Sequence, residues 1–273
     1  MINLFQSIIL GSLQGITELF PISSLGHSVV LPKLLGWNIN QSDPYFLSFL
    51  VATHTGTCLV LFLFFWKDWQ KIISGFFRSL SRREIRDDDP DAKMAWLLIV
   101  ATIPAGILGV LFQDTLRSLF ATPSIVAIVL IMNGFLLLGG DFLQRHKREK
   151  VVKLSWGNSI GVGLMQCLAL IPGFSRTGST MTGGLLVGLD YKDAARFSFL
   201  LATPIIAGAT LVKLPDILLG GNLEISLIGG FFAGLFAYIS VKFLTKYFET
   251  QKLWPFAIYC IAAGTVLSLL FLH

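Results

Sequence analysis

Residues 157–189 read GNSIGVGLMQCLALIPGFSRTGSTMTGGLLVGL, an apolar stretch that Pro172 and Gly173 interrupt near its middle. Residues 4–36 read LFQSIILGSLQGITELFPISSLGHSVVLPKLLG and break in the same way at Pro21. A helix needs about 20 uninterrupted apolar residues to cross a membrane, and each half of these stretches is shorter. Because lipid cannot satisfy broken backbone, each break has to be buried in protein or line a wet cavity. Both stretches are therefore predicted to form re-entrant helical hairpins.

The composition around these stretches is that of a membrane protein. The chain of 273 residues is 54% hydrophobic and only 14% charged, with a mean hydropathy of +0.73, which is too apolar for an ordinary soluble domain. Its basic residues cluster in short segments, so we expect no nucleic-acid partner. The cysteines lie singly in apolar runs, without disulfide or metal-ligand spacing. Six uninterrupted spans are predicted, at about 45–66, 95–112, 125–142, 197–213, 226–244 and 255–272.

The basic clusters predict the orientation. Segments 67–93 and 145–153 carry most of the lysines and arginines and are separated by two spans, so both are expected in the cytoplasm by the positive-inside rule. The loops 37–44, 113–124 and 214–224 hold a single arginine between them. They are expected on the outer side.

Two sequence matches predict an internal duplication. Residues 48–53, SFLVAT, recur as SFLLAT at 198–203, and Pro21-x-x-Ser24 recurs as Pro172-x-x-Ser175. The bland alternative is a chance match between apolar hexamers. If the match is real, halves of about 1–144 and 154–273 each hold one hairpin and three spans, and this odd number inverts the second half. The expected fold is one all-α integral membrane domain over 1–273, with six transmembrane helices and two re-entrant hairpins in an inverted repeat.

Ionisable residues inside a bilayer are costly and mark a site by default. Glu18, His27, His54 and Arg176 are the candidates here. Glu18 and Gln14 are four residues apart, and Thr17 is three from Gln14, so the three share a helix face just before the first break. His54 is either a member of the site or a histidine satisfied by a neighbouring carbonyl.

The helix starts after the two breaks suit an anion. Ser23 and Ser24 can cap the helix that follows the first break, with His27 in its first turn. Arg176 follows the second break among hydroxyls, and a guanidinium with hydroxyls and a helix N-terminus suits a phosphate group. For single residues of this set, a bond to the i−4 carbonyl is an equally good interpretation. The hydroxyls beside Arg176 belong to Ser175, Thr177, Ser179 and Thr180.

These two motifs carry a resemblance. Residues 14–27, QGITELFPISSLGH, and 172–180, PGFSRTGST, are similar to the paired signatures of the undecaprenyl-diphosphate phosphatase family, the membrane enzymes associated with bacitracin resistance. The resemblance covers essentially the whole chain. The chain departs from the family pattern at Leu25, where threonine is usual, and at Thr177, where serine is usual. It takes the glutamine option at Gln14.

The resemblance implies hydrolysis of undecaprenyl diphosphate to undecaprenyl phosphate and phosphate, in the bacterial cytoplasmic (inner) membrane. It implies that Arg176 clamps the diphosphate and that Glu18 and Gln14 hold a divalent cation, Mg²⁺ or Ca²⁺. Either Ser24 or His27 is the nucleophile, or His27 is a base that activates Ser24 or water. The remaining substrate-binding residues it implies are Ser23, Gly26, His54, Ser175, Thr177 and Thr180.

A polyprenyl-phosphate transporter, or flippase, is the alternative function. Broken helices in an inverted repeat are transporter architecture, and Arg176 could bind a headgroup merely to carry it. A purely structural membrane protein would give no reason to place Arg176 and Glu18 at paired helix breaks. The expected partners are the polyprenyl diphosphate lipid and the surrounding membrane lipids, and a homo-oligomer is left open.

Overall fold

The computed structural model describes residues 2–41, 43–112, 122–146, 154–219 and 222–271. This part of the chain is helical and has no β-strand. Its helices are α1 (Leu4–Thr17), α2 (Ser24–Leu34), α3 (Pro44–Phe64), α4 (Trp66–Arg82), α5 (Pro90–Leu111), α6 (Pro123–His146), α7 (Trp156–Gln166), α8 (Arg176–Val187), α9 (Tyr191–Leu219), α10 (Leu223–Tyr247) and α11 (Trp254–Phe271). A 3-10 turn, Cys167–Leu170, extends α7.

The predicted number of spans is confirmed. In the described part of the chain, six helices are long and apolar enough to cross a membrane: α3, α5, α6, α9, α10 and α11. Prolines begin several of them, where the missing N–H costs nothing. Pro44 follows the cap Asp43, whose side chain accepts a hydrogen bond from the Tyr45 N–H. The chain is therefore a multi-pass membrane protein.

The two interrupted stretches each form a pair of short helices. The first pair has 14 and 11 residues in α1 and α2, and the second has 11 and 12 in α7 and α8. At 1.5 Å per residue, none of them reaches across a bilayer core of about 30 Å. The breaks fall where the prolines predict them. The re-entrant path of the two pairs stays a prediction.

Close helix packing holds the pairs among the spans. Helix α10 packs against α1 and α3, α3 packs against α9, α6 packs against α11, and α5 packs against α7. Glycines bring the backbones together: a Cβ atom added to Gly56 would lie 1.9 Å from the carbonyl oxygen of Gly230. Small residues at such crossings are the usual contact between membrane helices. The inverted duplication, with its boundaries near 144 and 154, stays a prediction.

The segment 67–93 differs from the sequence-based expectation of a loop, because its first part is the helix α4. The helix buries Trp69 and Ile72 on one side and leaves the basic residues on the other. This amphipathic pattern allows a segment rich in basic residues to form a helix. Its end is tied to α5 through Arg78, which donates to Asp89 at 2.6 and 2.7 Å. These hydrogen bonds lower the pKa of the Asp89 carboxyl to about 2, so the pair is ionised at neutral pH.

Candidate functional site

The carboxylate of Glu18 is the meeting point of the two broken stretches. Its Oε1 accepts hydrogen bonds from Arg176, at 2.6 Å from Nη2 and 3.2 Å from Nε. Its Oε2 accepts from Ser24 Oγ at 2.5 Å and from Gln14 Nε2 at 3.0 Å. The Nε2 atom of His54 lies 3.1 Å from the same oxygen. Four elements, α2, α3, α8 and the end of α1, therefore deliver predicted site residues to one carboxylate.

The first break places Ser24 through an unusual turn at Ser23. Ser23 has φ of 69°, in the left-handed region that costs free energy for a residue with a side chain. Its Oγ accepts hydrogen bonds from the N–H groups of Gly26 and Gly173, both at 3.2 Å. Ser23 is thus the N-cap of α2 and a link to the second break. Ser24 is the first residue of α2.

The second break turns at Gly173 and ends at the N-cap Ser175. Gly173 has φ of 110°, and a Cβ atom there would lie 2.7 Å from the Cβ of Val129, so only glycine fits. Ser175 Oγ accepts from the Gly178 N–H at 3.1 Å, which caps α8. Arg176 is the first residue of α8 and lies directly after the cap, as Ser24 does in α2.

Two threonines that follow Arg176 form hydrogen bonds to the backbone of the site. Thr177 Oγ1 donates to the carbonyl oxygen of Glu18 at 3.0 Å. Thr180 Oγ1 lies 2.8 Å from the carbonyl oxygen of Arg176 and 2.5 Å from Ser198 Oγ. Neither lines the cavity described next, so their predicted contact with substrate stays a prediction. Ser198 belongs to the repeated hexamer.

A cavity of about 330 Å³ lies against this cluster. Its polar lining consists of Glu18, Ser24, His54, Gln166, Ser175, Arg176 and Lys213. Most of the remaining wall is apolar and comes from α2, α3, α5, α9 and the turns before α8. That apolar wall consists of Leu25, Leu47, Leu50, Val51, Ala105, Gly109, Ala169, Leu170, Phe174, Ile205, Ile206 and Ala209. The arrangement suits a molecule with an anionic head and an apolar chain.

The structure does not bring His27 to this cavity. Its Nδ1 lies 2.6 Å from the Ser23 carbonyl oxygen, and its Nε2 lies 2.7 Å from the Tyr259 hydroxyl. The two rings stack with centroids 5.8 Å apart, in a separate groove between α2 and α11. Gly26 also stays outside the cavity, and a Cβ atom added to it would lie 3.1 Å from Ser23 Oγ and 3.3 Å from Val126 Cγ1. A catalytic role for His27 and a binding role for Gly26 stay predictions.

His54 is the histidine that does reach the cluster. Its Nδ1 lies 2.7 Å from the carbonyl oxygen of Leu50, and its Nε2 faces Glu18. Both neighbours are hydrogen-bond acceptors, so each ring nitrogen has a partner. His54 thus contacts both a neighbouring carbonyl and the carboxylate of the cluster, and its role in binding substrate stays a prediction.

Comparisons with known proteins decide the family. A family model described as "Bacitracin resistance protein BacA" matches residues 7–266. The chain belongs to this family. It is 43% identical to Undecaprenyl-diphosphatase 2 of Chromobacterium violaceum over 272 residues, which cover 97% of each chain. It is 41% identical over 290 residues to Undecaprenyl-diphosphatase of Mycolicibacterium paratuberculosis, covering 95% of this chain and 94% of that one. Undecaprenyl-diphosphatase of Acidiphilium cryptum is 42% identical, with 95% of both covered.

The predicted cation site of this BacA-family chain can be tested on its donor atoms. Glu18 and Gln14 do lie together, but the Glu18 oxygens already accept hydrogen bonds from Arg176, Ser24 and Gln14, and His54 Nε2 lies 3.1 Å from Oε2. A hard divalent cation needs six or more oxygen ligands. Among the described residues, no group of three or more His, Cys, Asp or Glu could hold a metal ion. Gln14 Oε1, the predicted neutral ligand, is buried and has no hydrogen-bond partner within the described residues, and the divalent cation stays a prediction.

Sequence reasoning missed Asn133, which joins the two breaks in this BacA-family fold. Its amide donates to the Pro21 carbonyl at 3.1 Å and accepts from the Ser175 N–H at 3.0 Å. The side chain is fully buried in α6. A lone asparagine in an apolar span was the available signal, because such a residue usually bonds across helices. Lys213 lines the cavity but is absent from the predicted site.

Proposed function

We propose that this chain hydrolyses undecaprenyl diphosphate to undecaprenyl phosphate and inorganic phosphate. The three relatives above carry the name undecaprenyl-diphosphatase, and none of them carries a transporter's name. One observation carries the proposal: the Ser24 hydroxyl lies 2.5 Å from the Glu18 carboxylate, beside Arg176, in a largely apolar cavity. A nucleophile, a base and an anion clamp thus adjoin a space for a lipid chain.

Arg176 binds the terminal phosphate in this proposal. Its Nε and Nη2 are held by Glu18, while Nη1 is buried and has no hydrogen-bond partner within the described part of the chain. The guanidinium is therefore fixed in orientation and retains a donor for a phosphate oxygen. The first turn of α8, which begins at Arg176, adds the positive end of the helix dipole.

Ser24 is the nucleophile and Glu18 the base that activates it. Ser24 Oγ attacks the terminal phosphorus, and its proton passes to Glu18 Oε2 along the existing hydrogen bond. The bridging P–O bond breaks, and its electron pair leaves with undecaprenyl phosphate. Water then attacks the phosphoserine, inorganic phosphate departs, and Glu18 returns the proton to Ser24 Oγ. Positioning and charge stabilisation supply most of the rate in such phosphoryl transfers.

The reaction regenerates the lipid carrier of cell-wall synthesis, and the description of the family connects it to bacitracin resistance. We place the protein in the bacterial inner membrane, and the charge count supports an orientation with the start of α3 and the end of α9 facing outwards. Leu47 and Lys213 lie near those helix ends and line the cavity, so the headgroup enters from the outer side. In a chain lacking its own cysteines, Asn38→Cys should react with an impermeant thiol reagent from outside and Asp88→Cys only from inside.

Phosphate release from undecaprenyl diphosphate by the detergent-solubilised protein tests the reaction. Ser24→Ala should lower kcat by about a thousandfold or more, as expected for loss of a nucleophile. Ser28→Ala is the matched control, because Ser28 is buried one turn further along α2 and its hydroxyl has no partner within the described residues. If the wild-type protein releases no phosphate, the proposed reaction is wrong. If both variants lose activity alike, Ser24 is not the nucleophile.

A further inference from the structure

Lys213 lines the same cavity as Arg176 and Ser24, although it lies in a different helix. Among the described residues of the lining, the basic ones are Arg176, Lys213 and His54, and His54 faces Glu18. Lys213 interrupts the apolar face of α9 that Ile206 and Ala209 present to the cavity. Its ammonium lies 2.8 Å from Asp216, and 27% of its side chain is exposed. Lys213 thus lies near the outer end of α9 and still lines the cavity.

The packing of α3 against α9 places Lys213 relative to the cluster. The hydroxyls of Thr55 and Thr210 lie 2.8 Å apart, and Cys58 Sγ lies 3.5 Å from the carbonyl oxygen of Thr203. Because the helices run antiparallel, these pairs bring His54 level with about residue 210 of α9. Lys213 is then nearly one turn further out, or about 5 Å along the helix at 1.5 Å per residue. Along the helix axis, two linked phosphates can span such an offset.

The charges of the cluster leave room for this second cation. The charge of Arg176 is matched by Glu18 at 2.6 Å, whereas a diphosphate brings at least two negative charges. Asp216, the partner of Lys213, has 51% of its side chain exposed. Ion pairs of this exposed kind contribute little, so Lys213 can exchange Asp216 for a phosphate at small cost.

We infer that Lys213 binds the lipid-linked phosphate while Arg176 holds the terminal phosphate beside Ser24. This inference rests on the proposed function, since it assumes a diphosphate lipid in the cavity. It makes the site selective for diphosphates: two phosphates engage both cations, whereas a monophosphate engages only one. The product undecaprenyl phosphate is therefore held less tightly than the substrate and can leave.

The test is equilibrium binding of a radiolabelled polyprenyl diphosphate, and of the monophosphate of the same polyprenol, to the protein in detergent micelles. Lys213→Gln should weaken diphosphate binding about tenfold, as expected for loss of a charge-assisted contact, and should narrow the preference over the monophosphate. Lys213→Arg should restore most of the affinity. Lys242→Gln removes an equivalent charge from the exposed surface of α10 and should change nothing.

Asp216→Asn is a second test variant, and its expected effect, tighter binding, cannot result from loss of folding. Removing the competing carboxylate should tighten diphosphate binding by up to a few fold. A change below twofold in Lys213→Gln, or an equal change in Lys242→Gln, would overturn the role of Lys213. Phosphate release by the wild-type protein is scored separately, so a failure of the proposed reaction is recognised even where the binding difference is seen.

Discussion

The two helix breaks share a sequence pattern, but the structure aligns them one residue differently from that pattern. The repeated Pro-x-x-Ser pattern equates Ser24 with Ser175. In the structure Ser175 matches Ser23 instead, because each is the N-cap of the helix that follows. Ser24 therefore corresponds to Arg176, and both contact Glu18 from the first position of a helix. The comparison teaches that one scaffold position carries the proposed nucleophile in one break and the proposed phosphate clamp in the other.

The breaks also differ in how they turn. The second uses Gly173 at φ of 110°, whereas the first forces Ser23, a residue with a side chain, to φ of 69°. The hydroxyl of Ser23 accepts the N–H of Gly173. This hydrogen bond links the strained Ser23 of the first break to Gly173 of the second. The link restrains the position of Ser24 relative to Arg176.

The largest effect is expected at Arg176, the charged residue of the equivalent pair. Arg176→Lys should lower kcat/KM nearly as much as Arg176→Ala, by about a thousandfold, because lysine loses the fork that holds Glu18 and the phosphate together. Steady-state phosphate release measures it, with thermal unfolding in detergent as the control for folding. A lysine variant that keeps more than a tenth of the wild-type rate would show that charge alone is sufficient there.

The next effect concerns the two turns. Gly173→Ala should destabilise the protein by about 2–3 kcal/mol, because alanine is strained at this φ and its Cβ would meet Val129. Ser23→Gly relieves the strain at 69° but removes both hydrogen bonds of the hydroxyl, so the net change should be smaller. Unfolding in detergent compares the two. A larger loss in Ser23→Gly would mean that the hydroxyl, and not the backbone, sets the first turn.

The smallest effect is expected at the capping residue Ser175, which is compared with the proposed nucleophile Ser24. Ser175→Ala should cost about 1 kcal/mol of stability, the usual value of an N-cap, and should leave kcat within about tenfold of wild type. It is compared with Ser24→Ala in the same phosphate-release assay. If Ser175→Ala is as inactive as Ser24→Ala, the sequence register of the repeat describes the chemistry better than the structural one.

The apolar spans and the helix breaks could be predicted from sequence, because length, hydropathy and proline act locally. The meeting of Glu18 with Arg176 follows from their costly placement in the membrane together with the breaks. The orientation of His27 could not be predicted, because its ring is turned by the Ser23 carbonyl and Tyr259, which lie together only in the folded chain. The same holds for Asn133, whose partners come from both breaks.

The hydrogen bonds between the two pairs of short helices also limit movement. Ser23 joins Gly173 at 3.2 Å, Thr177 joins the Glu18 carbonyl at 3.0 Å, and Ser175 joins the Phe20 carbonyl at 3.4 Å. Rocking one hairpin against the other, as alternating access requires, would leave these buried groups unsatisfied at about 1–3 kcal/mol each. A rigid site favours a lipid that enters laterally from the bilayer and leaves along the same route, while the protein around its headgroup does not move.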